Sequence, residues 1–217
     1  MVLKAIVLDF DGVILESVDI KTRAFRELFK NYPEHVDDIA AYHLKNGGMS
    51  RFKKFAYIYS EILKKPLYED EIKKLGESFS KIVLSELISC PYVKGAQEFL
   101  KEYSNKTNLF IASGTPVDEL RYITDKRNIS QYFKGIYGTP LTKSEILKKI
   151  GLEFGFKNSD LIFIGDSIND YDGAKDAGVL FIARLDKKMQ PNPFNNLNLC
   201  AIKDFDDLKI VLKNRTL

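Results

Sequence analysis

The chain has 217 residues, 45% of them hydrophobic and 29% charged, which excludes a disordered or fibrous protein and allows one large domain or two small ones around a real core. Its formal charge of +3 arises from 33 basic and 30 acidic residues, scattered without a run of about five like charges, so a surface that tracks nucleic acid is not expected. No stretch approaches the ~18 apolar residues of a membrane span, and the N-terminal apolar run is too short for a signal peptide, so the expected setting is a reducing cytoplasm with no membrane partner.

In chain order, the first element is a strand, AIVLDF at 5–10, apolar enough to be buried on both faces. From 17 to 90 no strand pattern follows, only helical periodicity, as in IKTRAFRELFKNY, RFKKFAYIYSEILKK and EDEIKKLGESFSKIVLSELI. The simplest account is an all-helical insertion, with Phe52, Phe55, Tyr57 and Tyr59 mostly in its core. His35 and His43 read as polar or packed side chains rather than ligands. CPYVKGAQEFL then re-enters an α/β body. Strands follow at 108–113, 161–166 and 180–185, with weaker ones at 135–138 and 198–202. Helices alternate with them at 116–128, 142–155 and 168–178, which predicts a parallel sheet covered on both faces. Cys90 and Cys200 lie far apart without a C-x-x-C or His/Cys grouping and read as reduced, mostly buried thiols. The Pro/Asn-rich segment 187–196 reads as a loop.

In such sheets ligands sit beyond the carboxyl ends of the strands. Asp9 and Asp11 end the first strand, and Asp166 and Asp170 follow a later one. Four acids converging there repel one another where water is partly excluded, unless a cation joins them. Mg²⁺ suits the position, because it takes a few carboxylates or carbonyls, keeps some waters and leaves room for phosphate. The other strand ends suit an oxyanion: Ser113 offers a hydroxyl, Gly114 opens backbone N–H groups, the helix after Pro116 adds its positive end, and Lys143 supplies a point charge. Metal, hydroxyl, backbone donors and one cation are the parts that stabilise phosphoryl transfer. Asp172 is read as a helix-surface acid.

These residues resemble the haloacid dehalogenase superfamily of phosphatases and phosphotransferases. Its D-x-D-G-[TV] motif is matched by Asp9, Phe10, Asp11, Gly12 and Val13, its strand-end Ser/Thr by Ser113, its lone lysine by Lys143, and its G-D-x-x-x-D motif by Gly165, Asp166 and Asp170. The resemblance is to the helical-cap branch that includes phosphoglycolate phosphatase and β-phosphoglucomutase. It implies a parallel-sheet, Rossmann-like core at 1–16 and 91–217, and a helical cap at 17–90 hinged around 14–19 and 86–94. It also implies that Asp9 is the nucleophile, Asp11 the general acid and base, and that Asp9, the Asp11 carbonyl, Asp166 and Asp170 hold Mg²⁺. Ser113, Gly114 and Lys143 would hold the phosphoryl group, and Arg51, at the start of the helix after Gly47 and Gly48, would reach the substrate. The implied activity is hydrolysis of a small phosphorylated metabolite, a sugar phosphate or phospho-organic acid, through an aspartyl phosphate, by a monomer or weak homodimer. The alternatives are a sugar phosphomutase and, more distantly, an inactive binding protein of the same fold. Asp11 argues against carbon–halogen and phosphonate cleavage, whose family members lack this second aspartate.

Overall fold

The computed structural model describes residues 3–186 and 192–214. Strand β1 (Ala5–Leu8) is followed by four helices, α1 (Val18–Leu28), α2 (Val36–Lys45), α3 (Arg51–Tyr57) and α4 (Glu69–Ser89), with a π-helical turn at Ile58–Ile62 extending α3. The α/β body continues with α5 (Ala96–Tyr103), β2 (Asn108–Pro116), α6 (Val117–Lys126), β3 (Gly135–Thr139), α7 (Lys143–Phe154) and β4 (Leu161–Gly165). It closes with α8 (Ile168–Ala177), β5 (Leu180–Arg184), β6 (Ala201–Ile202) and α9 (Phe205–Lys213). The sheet is parallel throughout, in the order β3-β2-β1-β4-β5-β6. The fold is therefore the expected Rossmann-like core with a helical cap inserted after its first strand.

Alternation along the strands explains the two layers. Ala5 and Val7 of β1 face one cluster, with Ile146, Leu147 and Ile150 of α7 and Ala174 and Ala177 of α8. Ile6 and Leu8 face the other, with Phe99 and Leu100 of α5, Leu120 and Ile123 of α6, and Leu208 and Leu212 of α9. That second cluster runs on without a break into the cap through Phe25, Phe29, Phe55 and Phe79. Because β1 lies between β2 and β4, chain order reverses direction on either side of it. The crevice at its carboxyl end is the switch point where such sheets bind ligands.

Two connections join cap and core, and they pair with each other: Glu16 N–H donates to the Pro91 carbonyl at 3.0 Å and Val93 N–H to the Ile14 carbonyl at 3.0 Å. Helix α4 runs to Ser89, so the second connection is shorter than the expected 86–94. The carbonyls left without intrahelical partners at the end of α4 find a donor on the core, since Arg127 donates to those of Leu87, Ile88 and Cys90.

Some sequence expectations shift. Helix α9 was not anticipated; Asp204 caps it by accepting from the N–H groups of Asp206 and Asp207. Phe55 and Tyr59 are buried and Phe52 packs against the same core, but Tyr57 is exposed and stacks flat on Tyr42, with centroids 4.1 Å apart. Tyr57 stands five residues after Phe52, about 140° round the helix, which turns it away from the core. Both cysteines are free, Cys90 buried and Cys200 half-buried. Of the 187–196 loop, 187–191 lie outside the described residues; beyond them Phe194 packs on Phe181 with centroids 5.8 Å apart. Among the described residues no helix is long and apolar enough to cross a membrane.

Candidate active site

The sheet ladder carries one residue past β1, where Asp9 N–H donates to the Ile164 carbonyl at 2.9 Å. Asp9 is buried; its Oδ1 accepts from the Phe10 N–H at 2.7 Å and lies 2.6 Å from Lys143 Nζ. The chain then turns at Gly12, whose φ of +73° is strained for a side-chain-bearing residue. A Cβ there would also collide with the Asp166 carboxylate. Gly12→Ala is therefore expected to lose most activity and a few kcal/mol of stability, measured by denaturant melts beside turnover.

Asp11 takes its hydrogen bonds from a different set of groups. Its Oδ1 accepts from Ser17 Oγ at 2.7 Å, and its Oδ2 accepts from Thr115 Oγ1 at 3.0 Å and from the Lys21 ammonium. Burial alone would raise the Asp11 pKa, but Lys21 and the two hydroxyls outweigh it and hold the carboxyl below its ordinary range. The two aspartates of one motif thus sit in opposite environments. Burial first, then the Asp170 charge, push Asp9 up to about 7 against the pull of Lys143.

At the end of β4, Ser167 caps α8, and Asp170 answers it: Asp170 Oδ2 accepts from the Ser167 N–H at 3.1 Å and from Ser167 Oγ at 2.5 Å. The capping box fixes Asp170 within the site. Its Oδ1 lies 2.8 Å from Lys143 Nζ, yet it accepts no well-aligned hydrogen bond and is buried. Lys143, the first residue of α7, donates to the Ala112 carbonyl at 2.6 Å, and its pairing with Asp170 and Asp9 raises its pKa despite burial. Asp166 is pushed well above its ordinary range by burial and by Asp170 and Asp9.

Oxygens of Asp9, Asp166 and Asp170 lie within 4.8 Å of one another, all three residues buried. An all-oxygen donor set with one orphaned carboxylate oxygen and only one lysine among three acids fits a hard divalent cation. Nearby, Ser113 is buried, and its Oγ accepts from the Thr115 N–H at 3.1 Å.

The cap loop rests on these groups. Gly48, at φ +70°, brings its backbone against Ser167 and over Gly114, and the Asn169 side-chain amide donates to the Gly47 carbonyl at 2.7 Å. A cavity of about 270 Å³ remains between this loop and the core, with Ser113, Gly114, Lys143 and Met49 in its wall and the exposed Asp172 at its edge. A larger, open cleft of about 480 Å³ lies by the second connection, around Pro91 and Arg127. It contains none of the clustered carboxylates.

Arg51 stands at the start of α3, but its guanidinium is committed elsewhere. It forms a two-pronged pair with Glu119 of α6 at 2.6 and 3.0 Å, donates to Ser80 at 2.8 Å and lies over the Phe79 ring. It joins cap to core and reaches neither Asp9 nor Ser113. His43 is packed, as expected, stacked on Phe25 with centroids 4.4 Å apart.

Four neighbours of the site carry no motif. Lys21 and Thr115 hold Asp11, Arg184 donates to the Gly12 carbonyl at 3.0 Å and pairs with Glu16, and Lys54 is buried against His43.

Comparison with known proteins agrees with this geometry. A family model described as haloacid dehalogenase-like hydrolase matches residues 6–184, from β1 to the end of β5. The chain belongs to the haloacid dehalogenase-like hydrolases. No curated protein matches this haloacid dehalogenase-like chain. Among solved structures it is similar to a β-phosphoglucomutase from Clostridium difficile, with TM-score 0.78 and 17% identity over 98% of this chain and 96% of that one. A predicted phosphatase from Clostridium acetobutylicum gives TM-score 0.77 and 16% identity, covering 98% and 100% of the two chains. A predicted phosphoglycolate phosphatase from Haemophilus somnus gives 0.74 and 19%, covering 97% and 98%. At these identities the likeness is one of fold, shared over the whole length by this haloacid dehalogenase-like chain.

Proposed function

We propose that this protein is a Mg²⁺-dependent phosphatase that hydrolyses a small phosphorylated metabolite through an aspartyl phosphate on Asp9. The observation that carries this reading is the separation of the two motif aspartates: Asp9 joins the buried carboxylate cluster, and Asp11 sits apart among proton-bearing groups. An Asp9 oxygen bonds to phosphorus as the ester P–O bond breaks, and Asp11, ionised at rest beside Lys21, first takes up a proton and then gives it to the departing oxygen. Water then attacks the aspartyl phosphate, and Asp11 takes its proton. Ser113, the Gly114 backbone and Lys143 hold the phosphoryl oxygens. Asp9, Asp166, Asp170 and the Asp11 carbonyl would hold Mg²⁺, which supplies positive charge to the transferring group. The cap at 17–90 covers the crevice and limits the water that enters. The test is phosphate release from a panel of phosphorylated metabolites, with Mg²⁺ and with EDTA. Release that depends on the metal is expected; no release from any compound defeats the reading.

Metal binding has a separate readout. At pH 8 a concentration of Mg²⁺ about 100-fold above Kd is expected to raise Tm by about 5–10 °C. At pH 5 the gain is smaller, because protons on Asp9 and Asp166, both raised in pKa by burial and then by the Asp170 charge, must first be displaced. Asp166→Asn is expected to abolish the gain at both pH values, checked by thermal melts.

A further inference from the structure

The turn after β1 closes on itself. The Phe10 carbonyl accepts from the N–H groups of Ile14 and Leu15 at 3.0 and 3.1 Å, and the Gly12 N–H donates to the Leu15 carbonyl at 2.8 Å. The Asp11 and Gly12 carbonyls accept from no backbone N–H among the described residues. The Asp11–Gly12 peptide is trans, so fixing the Gly12 N–H on Leu15 turns the Asp11 carbonyl to the opposite side. This peptide lies against the carboxylate cluster, since a Cβ on Gly12 would stand 1.9 Å from Asp166 Oδ2. Its carbonyl is the one that the reading above gives to Mg²⁺.

The Gly12 carbonyl is held from another strand. Arg184 is the last residue of β5 and is 5% exposed. Its Nε donates to the Lys203 carbonyl at 3.1 Å and its Nη2 to Glu16 at 2.6 Å, while Nη1 is shared between Glu16 at 3.2 Å and the Gly12 carbonyl at 3.0 Å. A planar fork fixed at its other donors aims Nη1 at one point. Glycine at φ +73° has little backbone preference of its own, so the two peptides that flank Gly12 take their orientation from the groups that bind them. Leu15 holds one and Arg184 holds the other.

We propose that Arg184 is a positioning residue for the metal site: by holding the Gly12 carbonyl it keeps the preceding peptide turned so that the Asp11 carbonyl faces the cation. The proposal rests on the phosphatase reading and adds to it a residue that acts through Gly12. The charge of Arg184 works in the opposite direction. Burial, Asp170 and Asp9 raise the Asp166 pKa while Lys143 and Arg184 pull it back, so the guanidinium is felt at the cluster. By electrostatics alone, removing it would tighten the binding of a cation. Losing the aim of the carbonyl weakens that binding, so the sign of the change separates the two effects.

The experiment is calorimetric titration of Mg²⁺ into the full chain at pH 8, for the wild type, Arg184→Met and Arg184→Lys. Arg184→Met is expected to raise the Mg²⁺ Kd by about 10–100-fold, the usual effect of losing a group that orients a metal ligand. Arg184→Lys keeps the charge but loses the fork, and is expected to weaken binding in the same direction by a smaller factor. It carries the test if Arg184→Met does not fold, which far-UV circular dichroism and thermal melts establish. Variants that melt lower but bind Mg²⁺ as tightly as the wild type, or more tightly, show a structural tie only; that result overturns the assignment and leaves the phosphatase reading intact. An affinity that falls as expected in a chain whose wild type releases phosphate from no compound keeps the assignment and defeats the reading. A wild type that binds no Mg²⁺ overturns both.

Discussion

Asp9→Asn is expected to lower phosphate release by about 10⁴-fold or more, because an amide cannot form the aspartyl phosphate and removes one of three clustered carboxylates. Rapid-quench experiments with labelled substrate are expected to show phosphoenzyme in the wild type and none in the variant. The same change has an opposite effect on stability. Asparagine keeps the Oδ1 that accepts from the Phe10 N–H, so the local turn survives. It also removes a charge that the metal-free fold tolerates poorly, since burial and Asp170 raise the Asp9 pKa to about 7. Between about pH 4, where the unfolded chain releases this proton, and pH 7, the folded protein still holds it. The Asp9 contribution to stability therefore falls as pH rises through that window. In EDTA at pH 8, Asp9→Asn is expected to melt above the wild type; at pH 4 the two should coincide. A variant that melts below the wild type at pH 8 would show that the Asp9 pairing with Lys143 outweighs its burial and its repulsion from Asp170.

The largest loss of stability is expected from Arg51→Met. The Arg51 and Glu119 side chains are 4% and 9% exposed, and the pair is closed by Ser80, which bonds to both. Removing the arginine leaves the Glu119 carboxylate buried without a counter-charge, which costs about 3–5 kcal/mol and corresponds to a Tm loss of about 10 °C for a chain of this size. Arg51→Met combined with Glu119→Leu is expected to recover much of it, since two apolar side chains beside Phe79 need no partner. A double-mutant cycle on thermal or urea melts measures the coupling. If the single variants instead leave stability unchanged and raise only KM, Arg51 acts on substrate rather than as a tie between cap and core.

The strand-end residues were legible because a parallel strand buried on both faces is a continuous apolar run, and whatever polar group follows it stands at the rim of the sheet. AIVL followed by Asp9, and LIFIG followed by Asp166, show this directly. Asp170 was legible for a second local reason, since Ser167 and Asp170 have the spacing of a helix cap. The helical insertion showed as a loss of strand period between 17 and 90. Its internal facing showed only in part: Phe52, Phe55 and Tyr59 fall on the core side, whereas Tyr57, about 140° round the helix from Phe52, stands outside it.

Lys21, Lys54 and Glu119 were not legible. Each is a single charged residue in a helix, indistinguishable by composition from the solvated lysines and glutamates around it. The sequence alone determined the sheet, the site of the insertion and the acids at the strand ends, because these depend on short-range pattern and on the geometry of a parallel strand. Only the tertiary structure decided that Asp11 is held by Lys21, that Arg51 pairs with Glu119, and that Lys54 bonds to His43 rather than to any carboxylate among the described residues. Whether a buried charge has a partner depends on residues as far as 168 positions apart, as with Arg184 and Glu16, and tertiary packing brings such groups together.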